Sequence, residues 1–231
     1  MKSGLEKMEF GVAESGIPLV AWKGLAREER FLYFMGGVHG DEPEGRDLMI
    51  DLLDCWLKND LGVPVVIIPE FNPDGLIKKT RVNARGVDLN RNMPTKRWGA
   101  PLTPSPGETD MTRYFAGAEP GSEPETRAFI RLIEKYPPCA IVSAHSWRPQ
   151  VNYDGPGREV AEILARFNRY PVTTDIGYPT PGSLGEYAGR ERQIPTVTLE
   201  LPEKIDRKEA WDIHRPAFEE ILNWAKKTVL Q

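Results

Sequence analysis

His39 and Glu42 stand three residues apart in the turn Gly36-Gly37-Val38-His39-Gly40-Asp41-Glu42. A tight turn there can aim an imidazole nitrogen and a carboxylate oxygen at one ion. That donor pair suits zinc, and a third protein ligand would leave one position open for water. The chain has only three histidines, and His145 closes the apolar run Ala140–Ala144, the strand-end position expected of a third ligand. His214 lies in the polar lead-in to the last helical pattern and reads as a surface or capping residue. Asp41 and Glu44 are competing carboxylates in the same turn as Glu42. An HxxE pair alone is common; its position between a strand and a helix, with a second strand-end histidine, gives it weight.

Two further segments carry chemistry. Thr80 to Asn92 (TRVNARGVDLNRN) is dense in groups that handle anions. Arginine offers a permanently charged planar fork that matches a carboxylate, and a neighbouring asparagine adds a donor. Glu200 sits inside the strand-like run Thr196–Leu201, where an unpaired carboxylate is costly to bury. A core salt bridge would account for it. The functional alternative is a base that takes a proton from an attacking water and passes it to a leaving amine.

These groups need a scaffold. Apolar runs at Phe31–Met35, Val63–Ile68, Ala140–Ala144 and Thr196–Leu201 alternate with amphipathic patterns, which predicts βαβ units. Leu48, Leu52 and Trp56, with Met49, Leu53 and Leu57, recur at helical spacing, and Pro43 suits the first turn. A second helix follows Ser122, whose spacing to Glu125 is that of a capping box. A third spans Arg158–Asn168. The last begins near Arg207 and packs through Ile213, Phe218, Ile221, Leu222 and Trp224. The expected fold is α/β: a single domain over residues 1–231, with a central mixed, mostly parallel β-sheet flanked by helices. The stretch from about Ala84 to Gly121 is rich in Gly, Pro and Thr, and Arg91–Gly121 within it is predicted to be a surface excursion that shapes a cleft.

The order HxxE, arginine with GVDxNRN, strand-end His and strand-end Glu resembles the zinc carboxypeptidases across about residues 30–203. The resemblance implies one zinc ion held by His39, Glu42 and His145, with Glu200 as base. It implies that Arg81 steadies the oxyanion, with Arg85 as competitor, and that Asp88 orients His39. Asn90 and Arg91 would grip the free C-terminal carboxylate of a small peptide substrate. Tyr178 is the candidate for the tyrosine that closes over substrate, although its spacing to Gly182-Ser183 is shifted. Gly177–Gly185, Ile194–Pro202 and Asn152–Pro156 are similar to the bacterial murein tripeptide amidases. That implies cleavage between γ-D-glutamate and meso-diaminopimelate in recycled wall peptides. Trp147 and Arg148, beside His145, are candidate specificity residues.

Other readings are an N-acyl amino acid amidohydrolase resembling succinylglutamate desuccinylase or aspartoacylase, and an inactive zinc- or peptide-binding module. The Asn92 that follows Asn90-Arg91 and the short chain favour the peptidase over the first. The presence of both Glu200 and Arg81 argues against the second. A serine nucleophile has little support, since Ser143 and Ser146 lie in no nucleophile elbow. The chain has 231 residues, 40% hydrophobic and 28% charged, with net charge −4. That composition suits a globular protein and lacks the basic balance of a general nucleic-acid binder. No stretch has the length of a membrane span. The two cysteines, Cys55 and Cys139, read as buried thiols in a reducing compartment, and the expected location is cytoplasmic. The oligomeric state is left open.

Overall fold

The computed structural model describes residues 4–24, 30–57, 61–101 and 108–229; residues 102–107 of the Arg91–Gly121 excursion lie outside them. The four expected strands are β3 (Phe31–Met35), β4 (Val65–Ile68), β5 (Pro138–Trp147) and β8 (Thr196–Pro202), and they form the parallel centre of one sheet. Every residue of β3 and β4 is buried, because parallel strands are covered on both faces and read as unbroken apolar runs. Four more strands extend the sheet: β1 (Leu5–Val12) and β2 (Pro18–Gly24) on one side, β6 (Gln150–Asp154) and β7 (Val172–Thr173) on the other. The order is β1-β2-β4-β3-β5-β8-β6-β7, with antiparallel pairing at β1–β2, β2–β4 and β6–β8.

Helices cover both faces. α1 (Pro43–Trp56), α4 (Arg158–Asn168) and α5 (Arg207–Val229) bury Leu48, Leu52, Leu164 and Phe218 against Phe34, Val142 and Leu199. Phe34 meets Trp56 and Phe218 edge-on, with ring centroids 5.4 and 5.3 Å away. Each such pair adds ~0.5–1.5 kcal/mol beyond its area. α3 (Pro124–Lys135) covers the other face, setting Phe129, Leu132 and Ile133 on Tyr33, Ile141 and Val66. Short α2 (Pro73–Lys78) is capped by the Asn72 side chain, which accepts from the Gly75 amide at 2.9 Å. No helix among the described residues is long and apolar enough to cross a membrane.

Three expectations need correction. The Ser122/Glu125 capping box does not form. Pro124 opens α3, so the N-cap is Glu123, and no side chain caps it. Glu125 turns inward, fully buried, and accepts from Asn83. His214 is neither exposed nor a cap. Seven residues into α5, it is fully buried, its Nδ1 2.7 Å from the Ala210 carbonyl and its ring against Tyr170 and Phe218. Burial pushes its pKa down to about 4. The Arg91–Gly121 excursion is no simple surface loop. Within Arg91–Gly121, Arg91, Met93 and Tyr114 are buried. Short 3₁₀ turns at Leu89–Arg91 and Met111–Tyr114 fold it back onto the body.

Sheet topology places the site. The chain leaves central β3 for β4 on one side and later returns on the opposite side as β5. Open α/β sheets bind ligands at the carboxyl ends of strands where the order reverses in this way. His39 follows β3, His145 lies near the end of β5, and Glu200 pairs with His145 in register on β8.

Candidate active site

Glu42 is the residue before α1, whose first position is Pro43. Gly45 lets that helix end press onto β5: a Cβ there would lie 2.3 Å from the Ala144 carbonyl oxygen. The close approach brings three donor groups together. His39 Nδ1 is 2.7 Å from Glu42 Oε1, His145 Nδ1 is 2.9 Å from Glu42 Oε2, and the two Nδ1 atoms are 3.2 Å apart. Among the described residues this trio is the group with metal-binding geometry, its ligand atoms all within 4.8 Å of one another.

The outward ring nitrogens are held as metal-binding histidines require. His39 Nε2 faces Asp88 Oδ1 at 3.2 Å, and His145 Nε2 faces Ser143 Oγ at 3.0 Å. A proton placed on Nε2 leaves each Nδ1 lone pair for a cation. The donor set therefore fits zinc: two imidazole nitrogens and a carboxylate, with the second ring nitrogens already engaged. Burial pushes both rings toward neutrality. At His39 the Glu42 and Asp88 carboxylates outweigh it and its pKa rises, whereas at His145 burial prevails and the pKa falls. Burial would raise Glu42, but the two histidines hold its pKa well below the ordinary carboxylate range.

Glu200 differs. It is buried, and its Oε2 has no hydrogen-bond partner. Burial, reinforced by the Glu42 charge, pushes its pKa up to about 8. No core salt bridge engages it, and a buried carboxylate with a raised pKa in a cleft is a candidate for proton transfer.

Arg81 and Arg91 line the same cleft. Arg81 donates from Nε to Asp88 Oδ2 at 2.9 Å and from Nη1 to Glu42 Oε1 at 3.1 Å. Asp88 is fully buried, and Arg81, His39 and Arg91 hold its carboxyl ionised against the cost of burial. Arg85 is half-exposed, paired with Glu14 at 3.6 Å, and is not among the residues lining the cleft, so of these two arginines it is Arg81 that reaches the site. Arg91, only 1% exposed, bonds the Asn90 carbonyl from Nη1 at 2.6 Å, and its Nε is buried without a partner. Asn90 Oδ1 accepts from the Leu184 amide at 2.9 Å, which leaves the side-chain NH₂ as a donor. Tyr114 presents its ring to both guanidinium groups, 5.1 Å from Arg81 and 5.7 Å from Arg91.

Together these groups line a cleft of about 860 Å³. Tyr178 and Trp147 line it too, ring edge to face at 5.9 Å. Burial raises the Tyr178 phenol against the pull of Arg91 and Arg81, which places its hydroxyl in their field. Arg148 stacks on the Trp147 ring from outside the cleft lining. The competing carboxylates are occupied elsewhere: Asp41 takes Arg113 at 2.7 Å, and Glu44 takes the Ser146 hydroxyl and the Lys204 amide.

Three supporting residues escaped the sequence reading. Asn83 donates to Glu123 and Glu125 and accepts from the Arg85 and Val87 amides, pinning the start of the GVD segment. Asn92 ties its end to the Ala116 carbonyl and the Glu123 amide. Ser143 was legible only as a strand residue, yet it lies two residues from His145 and so on the same face.

The sequence matches the zinc carboxypeptidase family model over residues 23–156. It is 32% identical over 230 residues to murein peptide amidase A of Escherichia coli K12, covering 96% of this chain and 91% of that protein. The Vibrio campbellii murein peptide amidase A is 33% identical over 201 residues, covering 84% and 78%. The crystal structure of the murein-tripeptide amidase of Escherichia coli O157 superposes with a TM-score of 0.80 at 31% identity, covering 94% of this chain and 92% of that one. Sequence, topology and the placement of the converging donors agree, and the chain belongs to the zinc carboxypeptidase family.

Proposed function

We propose that this chain is a zinc-dependent amidase of murein peptides that hydrolyses the γ-D-glutamyl–meso-diaminopimelate bond. The observation that carries the reading is the convergence of His39, Glu42 and His145 beside the unpartnered Glu200 carboxylate. The similarity to murein peptide amidases over nearly the whole chain supports the choice of substrate.

In this reading residues 1–231 act as one catalytic domain, and His39 Nδ1, His145 Nδ1 and the Glu42 carboxylate hold one zinc ion. Zinc held there supplies a Lewis acid, which polarises a carbonyl and lowers the pKa of water toward neutrality. Glu200 Oε2 accepts the proton of the attacking water and delivers it to the leaving amine. The Arg81 guanidinium, steadied by Asp88 and Glu42, faces the carbonyl oxygen as it gains charge. The Asn90 amide and Arg91 bind the free carboxylate of the leaving residue, a charge-assisted contact that sets the scissile bond against Glu200. Tyr178 closes over that residue from beside Trp147. Neither Cys139, its thiol pushed up to about 11 by burial, nor half-buried Cys55 is joined in a disulfide, in keeping with a reducing compartment. We therefore place the reaction in the cytoplasm.

The test is incubation of zinc-loaded protein with L-Ala-γ-D-Glu-meso-diaminopimelate and mass analysis of the products. Free diaminopimelate is expected, lost on chelation and restored by zinc. Hydrolysis of N-succinylglutamate with the tripeptide left intact would overturn the assignment in favour of an N-acyl amino acid amidohydrolase.

A further inference from the structure

Residues 83–92, which carry Asp88, Asn90 and Arg91, are held at both ends by one residue outside the cleft. At the first end, buried Asn83 donates from Nδ2 to Glu123 Oε2 at 2.8 Å. At the other, fully buried Asn92 accepts the Glu123 backbone amide on Oδ1 at 3.1 Å. Side chains join the two ends as well. Ser122 Oγ donates to Glu123 Oε1 at 2.7 Å, and Asn92 Nδ2 donates to that hydroxyl at 3.0 Å. A chain of hydrogen bonds therefore runs unbroken from Asn83 to Asn92, with the Glu123 carboxylate in its middle.

That carboxylate is only 2% exposed, and among the described residues no lysine, arginine or histidine pairs with it. Burying a carboxylate without a cation is costly. Helix α3 does not account for it, since the Glu123 side chain leaves the helix N-terminus uncapped. What the carboxylate holds is the loop. Within that loop Asp88 has tethers of its own: the Phe115 carbonyl takes its amide at 2.8 Å, and Arg81 takes its carboxylate. Asn90 and Arg91 lie between Asp88 and the Asn92 end, and the Leu184 amide is the outside contact of the Asn90 side chain.

Resting on the amidase reading, we infer that Glu123 is a positioning residue, whose carboxylate closes residues 83–92 into a fixed loop and so sets Asn90 and Arg91 for the free carboxylate of the leaving residue. Glu123 is not among the residues lining the cleft and acts through the loop alone. Loosening the loop weakens the carboxylate clamp without abolishing it, because the Leu184 amide still holds Asn90. The zinc donors stay in place, because Asp88 keeps its own partners. Loss of a hydrogen bond of this kind corresponds to about 2- to 10-fold.

The experiment compares kcat/KM for L-Ala-γ-D-Glu-meso-diaminopimelate and its C-terminal amide in the parent, Glu123→Ala and Glu123→Gln. The ratio of the two substrates cancels differences in zinc loading or folded fraction, so a residue that only supported the fold would leave it unmoved. The parent is expected to favour the free acid about tenfold or more. Glu123→Ala is expected to shrink that preference about three- to tenfold, mainly through a higher KM for the acid, with zinc content unchanged. Glu123→Gln keeps an oxygen for Asn83 and an NH₂ for the Ser122 hydroxyl, and is expected to restore most of the preference. Equal ratios in the parent and Glu123→Ala overturn the inference. If Glu123→Ala does not fold, Ser122→Ala, at a half-buried position, breaks the same chain, and an unchanged ratio there overturns it. If the parent cleaves neither peptide, the amidase reading fails, and calorimetric binding of the same two peptides decides the role of Glu123. No preference for the acid in the parent, or an equal preference in parent and variant, then overturns it.

Discussion

Replacing Asp88 by asparagine changes no shape and removes one charge, which makes its consequences calculable. Asp88 is fully buried and accepts three donors: the Asn90 amide and His39 Nε2 on Oδ1, and Arg81 Nε on Oδ2. An asparagine offers one oxygen and one NH₂. With the oxygen toward Arg81, the NH₂ faces the Asn90 amide and His39 Nε2. The ring must then accept at Nε2 and carry its proton on Nδ1, the atom that points at Glu42 and His145. A protonated Nδ1 has no lone pair for zinc. With the amide reversed, the NH₂ meets Arg81 Nε donor to donor and leaves a buried cation short of its partner. Both orientations cost. The first weakens zinc binding about 10- to 100-fold, the usual effect of losing the group that orients a ligand histidine. The second breaks a buried ion pair, at about 3–5 kcal/mol of folding stability. Zinc affinity is measured by competition with a fluorescent chelator near neutral pH, with urea unfolding of the metal-free protein alongside. Parent-like zinc affinity together with parent-like stability would refute the assignment of Asp88 as the group that orients His39 and anchors Arg81.

Other consequences are more direct. Arg91→Met is predicted to lower kcat/KM on the tripeptide by about 10- to 100-fold, since a charge-assisted bond to a carboxylate is worth about 1.5–3 kcal/mol. The C-terminally amidated tripeptide should be poor for parent and variant alike, and an equal loss on both substrates would deny Arg91 its part in carboxylate binding. His214 governs acid stability by a separate route. Its folded pKa, about 4, lies below the ordinary 6.5, so its contribution is whole above pH 6.5 and is lost as pH falls toward 4. The slope is about 1.4 kcal/mol per pH unit, for a total near 3 kcal/mol. Urea midpoints for His214→Gln should accordingly fall less between pH 7 and 4.5 than those of the parent, and parallel curves would count against this account.

The convergence of the candidate site residues was legible because the proposed chemistry needs particular residue types at strand ends. His39, Glu42, His145 and Glu200 are tied to apolar runs that report their own burial, and the parallel core strands announce themselves for the same reason. Legibility failed where burial is partial or polar. β1 (LEKMEFGV) alternates with solvent-facing Glu and Lys, so its inner face is diluted below recognition. β6 presents Asn152 and Asp154 to the cleft and buries Gln150, and a strand that turns polar groups inward loses the usual pattern. His214 was misread because nothing local reveals that the Ala210 carbonyl, one turn back, would satisfy its proton. Ser122 and Glu125 have the spacing of a capping box, but Pro124 shifts the helix start by one residue.

The most direct test of the central claim is Glu200→Gln, a change that keeps shape and removes the proton acceptor. Parent and variant would be loaded with zinc, checked for equal metal content, and assayed on L-Ala-γ-D-Glu-meso-diaminopimelate. Loss of a positioned base predicts a fall in kcat of about 10²- to 10⁴-fold with zinc content unchanged. A variant that releases diaminopimelate within a few-fold of the parent rate would contradict the assignment of Glu200 as the base.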